Sequence, residues 1–342
     1  MDIRKALALL IEGQNLSAGE AETVMEEIMT GQATPAQIGG LLTALRVKKE
    51  TAEEITGFAR AMRRNAVVVS SHRTPLVDVC GTGGDGSGTF NISTVAAFVI
   101  AGTGLAVAKH GNRSVSSKCG SADVLEALGV HLALAPEAVG TCIDEVGIGF
   151  LYAPQLHPAM KHTIGPRREM GIRTVFNILG PLTNPAGAHV QVLGVYDAAL
   201  TEVMAQVLHA LGCEAAFVVH GSGGLDELST IGPNKMTQLR DGEIRTFMLD
   251  PQSLGLPPAT LPDLRGDDAE ANAAIIEDIL TGTPSPRRDV VLLNAAACLV
   301  AANTAPDLAA GLTLAAESID SGAAKATLDA LIAFSREQGS AA

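Results

Sequence analysis

Apolar residues recur at helical spacing along the first 65 residues of the chain. Two such runs are Ile38, Leu41, Leu42 and Leu45, and Ile55, Phe58 and Met62. Three segments begin with a hydroxyl residue followed three positions later by Glu or Gln: Ser17 and Glu20, Thr34 and Gln37, Thr51 and Glu54. In this arrangement, the capping box, each side chain accepts a hydrogen bond from a backbone N–H at the helix start. The pattern predicts a small all-helical domain over residues 1–65.

The pattern changes from about residue 75, where short apolar runs alternate with helical segments. Runs such as "PLVDVC" and "LAVAKH" have strand character, and "STVAAFVIAGTG" and "ADVLEALG" have helix character. This alternation is typical of parallel strands joined by crossover helices. Asp241-Gly242 lies between two alternating runs and indicates a hairpin. The chain then returns to Ala/Leu-rich helices. We therefore expect an α/β domain over residues 75–342, with a mostly parallel central sheet flanked by helices.

Composition narrows the class of protein. Hydrophobic residues make up 47% of the 342 residues, and the formal net charge is −13. An acidic chain is poorly suited to neutralising phosphate backbones, so we expect no nucleic-acid partner. The five cysteines are scattered without a CxxC pair, which indicates thiols in a reducing compartment rather than zinc ligands. No long uncharged apolar stretch and no signal peptide is evident, so we expect a soluble cytoplasmic protein with no membrane partner.

The stretch "DVCGTGGDGSGTFNIST", residues 78–94, joins a predicted strand to a predicted helix. It has five glycines between Gly81 and Gly88, followed by small polar residues. Glycines at such a junction let backbone N–H groups approach an anion closely, and the N-terminus of the next helix favours negative charge. No Walker pattern follows, and no suitably placed acidic ribose partner follows the glycines. The stretch predicts a phosphate-binding loop; a flexible loop with a helix cap is the alternative.

A second stretch, "KHGNRSVSSKCGSADVLEALG", residues 109–129, also follows a strand and precedes a helix. Its cations and hydroxyls are concentrated in a chain that is acidic overall. Loops that follow parallel strands share the carboxyl edge of the sheet, where ligands bind in open α/β folds. Alone, this stretch could be a solvated basic loop. Beside the glycine-rich loop, it favours a polyphosphate or a phosphorylated sugar as ligand.

Two further stretches carry charged groups. In "HPAMKHTIGPRREMGIRTVFNILGPLTNP", residues 157–185, Arg167, Arg168 and Arg173 lie in or next to a helix, where a guanidinium suits a carboxylate or a phosphate. In "HGSGGLDELS", residues 220–229, Asp226 and Glu227 are adjacent carboxylates of a loop. One or two carboxylates beside bound phosphates are typical of Mg²⁺ sites. An exposed acidic turn is the alternative for the last stretch.

Taken together, the four stretches resemble the anthranilate phosphoribosyltransferases, tryptophan-biosynthesis enzymes of the nucleoside phosphorylase-like phosphoribosyltransferase family. The resemblance covers nearly the whole chain. It implies a small all-helical domain, joined by a later segment near residues 157–180, and a larger α/β domain. It implies transfer of the phosphoribosyl group of phosphoribosyl pyrophosphate (PRPP) to the amine of anthranilate, with release of pyrophosphate. It also implies Mg²⁺, two ions per site, and a homodimer formed through the helical domain.

The resemblance also implies residue roles. Ser93, Asp226 and Glu227 would bind Mg²⁺, and Gly81, Asn112 and Arg167 would hold anthranilate. The residues that would contact PRPP are Gly81, Gly84, Asp85, Thr89, Asn91, Ile92, Ser93, Thr94, Lys109, His110, Gly111, Asn112, Arg113, Ser114, Val115, Ser116, Ser117 and Ser121. An aromatic amine is neutral at pH 7, so no general base is assigned; His110 is a candidate.

Two alternatives remain at this point. A pyrimidine nucleoside phosphorylase is related in architecture, and the segment "RREMGIRTVFNILGPLTNP" with the Asp226-Glu227 loop speaks against it. A nucleic-acid-binding relative of the same fold is disfavoured by the acidic charge and by the intact loops. Phosphorolysis of thymidine or uridine would support the nucleoside phosphorylase. Salt-dependent DNA binding would support the nucleic-acid-binding relative.

Overall fold

The chain begins with four helices that form a small helical domain. A computed structural model describes residues 1–114 and 118–340. The helices are α1 Ile3–Ile11, α2 Ala18–Met29, α3 Pro35–Lys48 and α4 Ala52–Arg64. The capping boxes of Ser17, Thr34 and Thr51 are all formed at the starts of α2, α3 and α4, which confirms the predicted helix starts. The apolar faces of the four helices meet in one buried cluster.

A seven-stranded sheet forms the centre of the larger α/β domain, and the predicted fold class is confirmed. The strands are β1 Leu76–Gly81, β2 Ala106–Gly111, β3 Ile148–Tyr152, β4 Val190–Gly194, β5 Ala215–His220, β6 Asn234–Arg240 and β7 Glu243–Leu249. Their spatial order is β3-β2-β1-β4-β5-β6-β7. The five strands from β3 to β5 in this order are parallel, and β6 and β7 form the antiparallel hairpin predicted at Asp241-Gly242.

Helices cover the faces of the sheet and extend to the C-terminal end of the described chain. They are α5 Ile92–Gly102, α6 Ser121–Ala127, α7 Pro136–Val146, α8 Ala153–Leu156, α9 Lys161–Met170, α10 Phe176–Leu179, α11 Leu200–Ala210, α12 Ala269–Leu280, α13 Pro286–Ala301, α14 Leu308–Asp320 and α15 Ala323–Ser340. Helices α5 and α13 are almost wholly buried and lie in the main core with β1, β4 and β5. The α/β domain therefore has ample apolar surface to bury.

The order of the strands fixes where a ligand can bind. The chain runs from β1 to β2 and β3 on one side of β1, then returns to β4 on its other side. The strand order therefore reverses between β1 and β4, and the loops that follow these strands leave in opposite directions. In open α/β sheets the crevice at such a reversal, beyond the carboxyl ends of the strands, is the usual binding place.

The two parts of the chain are linked by side chains and by α9. Helix α9 packs against α2 and α3 although it comes about a hundred residues later. Arg63 of α4 donates hydrogen bonds to the carbonyls of Leu182 (2.7 Å) and Leu211 (3.1 Å) in the α/β part. Burial of this guanidinium lowers its pKa. These contacts join α4 to the α/β part and α9 to the first helices of the chain.

Two further expectations concern the chain as a whole. Within residues 1–114 and 118–340, no helix is both long and apolar enough to cross a membrane. The five cysteine side chains are buried, and no disulfide joins them in the part of the chain described.

Candidate active site

Three loops meet at the carboxyl edge of the sheet. They follow β1, β2 and β5, whose last residues are Gly81, Gly111 and His220. The first is the glycine-rich loop, residues 82–91; the second is the basic loop, residues 112–120; the third carries Asp226 and Glu227 and is here called the acidic loop, residues 221–233. The sequence predicted that the glycine-rich and basic loops lie on one edge; the parallel strands place them there, and the acidic loop follows β5 at the same edge.

Asp226 is packed directly against the glycine-rich loop. Its Oδ2 accepts a hydrogen bond of 2.6 Å from the backbone N–H of Gly83. A Cβ at Gly81 would overlap this carboxylate, and a Cβ at Gly194 would overlap the backbone carbonyl of Asp226. Glycine is therefore required at the ends of β1 and β4, because the acidic loop occupies the space that any side chain would need.

Glu227 faces the start of α5. Its Oε1 accepts a hydrogen bond of 3.2 Å from the backbone N–H of Ser93. Lys109, only 2% exposed, lies beside Ser93: its Nζ is 3.4 Å from the Ser93 hydroxyl and donates a 2.7 Å hydrogen bond to the carbonyl of Val79. A buried ammonium and a carboxylate thus converge on the first turn of α5.

The acidic groups of the site disfavour one another's charged forms. Burial raises the pKa of Asp226 well above its usual range, and the charges of Glu227 and Asp85 raise it further. Burial also raises the pKa of Glu227, against the opposing effect of Lys109. No donor within the described residues reaches the buried Oδ2 of Asp85. Two buried carboxyl groups whose charged forms are disfavoured, beside a third with an unpartnered oxygen, fit a hard cation such as Mg²⁺, which takes oxygen ligands.

Within the described residues, the carboxylates at this edge do not form a complete set of protein ligands for a metal ion. No group of three or more His, Cys, Asp or Glu side chains converges closely enough to hold a metal ion in the part of the chain described. Mg²⁺ commonly keeps several waters and takes the rest of its ligands from substrate phosphates. Two carboxylates and a serine hydroxyl beside the glycine-rich loop are compatible with such a partial ligand set.

The first turn of α5 positions four of the predicted PRPP residues. Asn91 is the N-cap, Ser93 faces Lys109 and Glu227, and the side chain of Ile92 is buried in the main core. The Thr94 hydroxyl is buried and has no partner among the described residues. Thr89 lies just before this turn, with its hydroxyl 3.3 Å from that of Ser87.

The basic loop is shaped by contacts with the start of α6. A Cβ at Gly111 would overlap the Ser121 hydroxyl, which itself donates a 3.3 Å hydrogen bond to the carbonyl of Asn112. Ser114 donates its backbone N–H to Asp123 at 3.0 Å. Val115, Ser116 and Ser117, which the resemblance assigns to PRPP, lie outside the described residues.

Arg113 is turned towards α6. Its guanidinium donates to Asp123 at 3.0 Å, to both oxygens of Glu126 at 2.8 and 3.0 Å, and to the Tyr152 hydroxyl at 3.2 Å. These acceptors raise the pKa of Arg113. Its exposed ion pairs stabilise the loop little, because solvent screens them. The side chain of Arg113 is therefore engaged by residues of α6 and by Tyr152.

His110 belongs to a buried polar network beneath the basic loop. Its Nε2 lies 3.2 Å from Nε2 of His157, and burial together with His157 lowers the pKa of His110 to about 3. Burial lowers the pKa of His157 to about 4. The backbone N–H of His110 donates to Asp78, which also accepts from the amide of Asn184 at 2.8 Å. A ring that stays neutral and buried is poorly suited to accept a proton at pH 7.

The arginines of the third stretch lie on or after α9. Arg167 is half-buried and stands over the ring of Phe176, 5.2 Å from its centroid; burial lowers its pKa. Arg173 follows α9, stands 4.5 Å over the ring of Tyr196, and donates a hydrogen bond to the carbonyl of Gly84. The segment after α9 therefore touches the glycine-rich loop directly.

The structure also reveals a wall of the site that the sequence did not indicate. Residues 264–268, here called the strap, run along the glycine-rich loop: Phe90 donates to the carbonyl of Leu264 (3.1 Å), and Gly266 donates to that of Gly88 (3.0 Å). Asn272 of α12 donates a 3.0 Å hydrogen bond to Oδ1 of Asn91. A single asparagine in an Ala-rich helix carries no sequence signal for such a role.

Comparisons with known proteins agree with this geometry along the whole chain. Residues 73–325 match the model of the glycosyl transferase family, a/b domain, and residues 4–66 match that family's helical bundle domain. The anthranilate phosphoribosyltransferase of Moorella thermoacetica is 58% identical over 332 residues, which are 97% of this chain and 98% of that protein.

Two solved structures are similar over their full lengths. The crystal structure of anthranilate phosphoribosyltransferase from Thermus thermophilus is 47% identical, with a TM-score of 0.92 over 97% of this chain and 99% of that one. The Saccharomyces cerevisiae enzyme in complex with PRPP and Mg is 30% identical, with a TM-score of 0.90 over 98% of each chain.

Proposed function

The chain belongs to the glycosyl transferase family, among its anthranilate phosphoribosyltransferases, and we propose the following account of its activity. It transfers the 5-phosphoribosyl group of PRPP to the amine of anthranilate, a step of L-tryptophan biosynthesis. The products are N-(5-phosphoribosyl)anthranilate and pyrophosphate. The bond from C1 of the ribose to the pyrophosphate oxygen breaks, the bond from the amine nitrogen to C1 forms, and the nitrogen loses a proton.

One structural observation supports this function most strongly. The acidic loop packs on the glycine-rich loop at the point where the strand order reverses, with Asp226 bonded to Gly83 and Glu227 bonded to Ser93. Backbone N–H groups, Lys109 and two carboxylates therefore surround one crevice. This combination suits a pyrophosphate whose charge is shared between the protein and a divalent cation.

We propose that Asp226, Glu227 and Ser93 hold Mg²⁺, two ions per site, and that the activity depends on it. The raised pKa values of the two carboxylates and the unpartnered Oδ2 of Asp85 support the proposal. When bound, Mg²⁺ stabilises the negative charge that develops on the leaving pyrophosphate. The stoichiometry remains a proposal that a metal titration of the PRPP complex can test.

The remaining polar groups of the edge are proposed to bind PRPP itself. Lys109 contributes a buried positive charge beside Ser93, which favours an anion in the crevice. The backbone of the glycine-rich loop, the first turn of α5 and the basic loop line the same crevice. The proposed contacts are Gly81, Gly84, Asp85, Thr89, Asn91, Ile92, Ser93, Thr94, Lys109, His110, Gly111, Asn112, Arg113, Ser114 and Ser121.

Anthranilate is proposed to lie between the basic loop and α9. Arg167 would pair with its carboxylate, since the Phe176 ring orients the guanidinium and partial burial strengthens the attraction. Asn112 and Gly81 would contact the rest of the molecule. Holding the amine in line with C1 converts a bimolecular encounter into a reaction of neighbouring groups.

No general base is assigned to this reaction. The amine of anthranilate is uncharged near neutral pH and can attack without prior deprotonation. The low pKa values of His110 and His157 and their burial disfavour either ring as the proton acceptor. Positioning and charge stabilisation are therefore proposed to carry the rate acceleration.

The proposed function is tested by following anthranilate fluorescence with PRPP, in the presence and absence of Mg²⁺. We expect a loss of signal that requires Mg²⁺, with pyrophosphate formed in equal amount. No loss of signal from folded, Mg²⁺-supplied protein would contradict the proposal. Phosphorolysis of thymidine or uridine would instead indicate a pyrimidine nucleoside phosphorylase, which the full-length similarity does not favour.

Three wider features remain proposals. We propose that residues 1–65 form the helical domain together with a segment near 157–180, because α9 packs on α2 and α3, and that residues 75–342 form the catalytic domain. We propose a homodimer through the helical domain, which light scattering can test. We also propose a cytoplasmic enzyme that binds no nucleic acid, in agreement with its net charge of −13.

A further inference from the structure

Asn272 links the strap to the glycine-rich loop. It is 1% exposed and lies in the first turn of α12. Its Oδ1 accepts a 2.8 Å hydrogen bond from the backbone N–H of Asp267, and its Nδ2 donates a 3.0 Å hydrogen bond to Oδ1 of Asn91. A Cβ at Gly266 would overlap Oδ1 of Asn272, so the strap and this amide are in close contact.

The orientation of the Asn272 amide follows from its partners. A backbone N–H can only donate, so the atom of Asn272 that faces Asp267 must be the oxygen. The Asn272 nitrogen must then face Asn91, and only the oxygen of Asn91 can accept from it. The nitrogen of Asn91 is consequently turned the other way, where it donates to the carbonyl of Cys119 at 3.3 Å.

This arrangement holds Asn91 away from the usual role of an N-cap. Asn91 occupies the N-cap position of α5 but makes no side-chain cap hydrogen bond. Its Oδ1 accepts from Asn272 and from the Cys119 thiol, which lies 3.5 Å away. One N–H of Asn91 is used by Cys119, and the second has no acceptor among the described residues.

We propose that Asn272 is a positioning residue for PRPP binding, acting through Asn91. By fixing which atom of the Asn91 amide is the donor, Asn272 presents an N–H rather than an oxygen to the phosphate oxygens. An amide oxygen turned to that position would repel the anion. The inference rests on the proposed function, since it assumes that Asn91 contacts PRPP, and it adds a residue outside the four stretches found from the sequence.

Asn272→Asp is the most direct test. Aspartate has nearly the same shape as asparagine, but it replaces the N–H donor of the amide by an oxygen that can only accept. One carboxylate oxygen keeps the hydrogen bond from Asp267, and the other then faces the oxygen of Asn91. Asn91 must either lose its partner or flip and bring its oxygen towards the carbonyl of Cys119. Asn272→Ser is the uncharged second variant: a hydroxyl is too short to bridge Asp267 and Asn91.

The matched control is Ile276→Ala, one turn further along the same helix. Ile276 is fully buried in the main core and belongs to no polar contact of the site. Its truncation weakens the packing of α12 but leaves the hydrogen bonds of Asn272 in place. Any effect that merely reflects loss of stability should therefore appear in this variant as well.

Binding of PRPP with Mg²⁺ is measured by calorimetry, and steady-state kinetics give KM for PRPP and for anthranilate, well below the melting temperature of each variant. We expect Asn272→Asp to weaken PRPP binding about tenfold or more, and Asn272→Ser by a few-fold, with KM for anthranilate within about twofold of wild type. Ile276→Ala should bind PRPP as the wild type does.

The decisive comparison places Asn272→Ser in an Asn91→Ala background. If Asn272 acts through Asn91, the serine substitution should then change PRPP affinity less than about twofold. Equal PRPP affinity of wild type and Asn272→Ser, or the same loss with and without Asn91, would overturn the inference. If the aspartate variant does not fold, the serine variant decides. A wild-type protein that consumes no anthranilate would refute the proposed function itself. That outcome is distinct from a failure of the Asn272 inference, which the comparison of variants tests.

Discussion

Asp226 accepts a 2.6 Å hydrogen bond from the backbone N–H of Gly83, so the acidic loop and the glycine-rich loop are in direct contact. The same carboxylate has a raised pKa because it is buried beside Glu227 and Asp85. A buried carboxyl group whose charged form is disfavoured is typical of a site built for a counter-charge.

Asp226→Asn should raise the stability of the protein and weaken its response to Mg²⁺. The amide does not ionise and so avoids the cost of burying this carboxyl group beside Glu227 and Asp85, and we expect the melting temperature without Mg²⁺ to rise; about 1 kcal/mol corresponds to ~2–4 °C for a large domain. The concentration of Mg²⁺ that gives half-maximal rate should increase at least about tenfold, because a proposed metal ligand is lost. Thermal unfolding and rate titrations measure the two effects. An unaltered Mg²⁺ titration, also in the Asp226→Asn, Glu227→Gln double variant, would argue against both residues as ligands.

Gly194→Ala should damage the site without touching a charged group. A Cβ at this position would overlap the carbonyl of Asp226, so the acidic loop must shift. We expect kcat/KM to fall by about a hundredfold, since a displacement of ~1 Å at a positioned group can cost that much. Gly19→Ala is the control, because a Cβ at Gly19 of α2 meets nothing within 4 Å. Equal activity of the two variants would contradict the close packing described here.

Arg167→Ala should mainly raise KM for anthranilate, by about tenfold or more, and leave KM for PRPP near the wild-type value. The expected cause is the loss of a charge-assisted hydrogen bond to the carboxylate of anthranilate. Arg167→Lys keeps the charge but loses the planar fork, so it should recover the activity only in part. Steady-state kinetics distinguish these outcomes, and an unchanged KM for anthranilate in the alanine variant would remove Arg167 from the acceptor site.

His157 should make the protein less stable as the pH falls below about 6.5. Its folded-state pKa of about 4 lies below the usual value, so the unfolded chain binds more protons between these two values. The contribution of the neutral His157 ring to the free energy of unfolding is fully present above pH 6.5, and about 2 kcal/mol of it is lost by pH 5. His157→Gln cannot titrate and retains a donor towards His110. Urea denaturation should show a smaller loss from pH 7.5 to pH 5 in this variant; equal losses would contradict the prediction.

The sequence was sufficient where the chemistry is local. The capping boxes of Ser17, Thr34 and Thr51 and the Asp241-Gly242 turn each depend on residues within four positions, and all were found as predicted. The glycine-rich and basic loops could be placed on one edge because parallel strands share their direction.

The contacts that complete the site depend on distance in the fold rather than in the sequence. His110 meets His157 across 47 residues, and Asn91 meets Asn272 across 181. Neither pair belongs to a spacing that periodicity or capping rules can recognise. The order of the strands, which brings the acidic loop onto Gly81 and Gly194, is likewise fixed by packing of the whole sheet and not by any single segment.

The most direct test of the proposed metal site is anomalous diffraction from crystals of the protein with PRPP and Mn²⁺, which favours the same oxygen ligands as Mg²⁺. We predict anomalous density within about 2.2 Å of carboxylate oxygens of Asp226 or Glu227 and next to the bound pyrophosphate. Manganese bound elsewhere, with both carboxylates remote from it, would contradict the account.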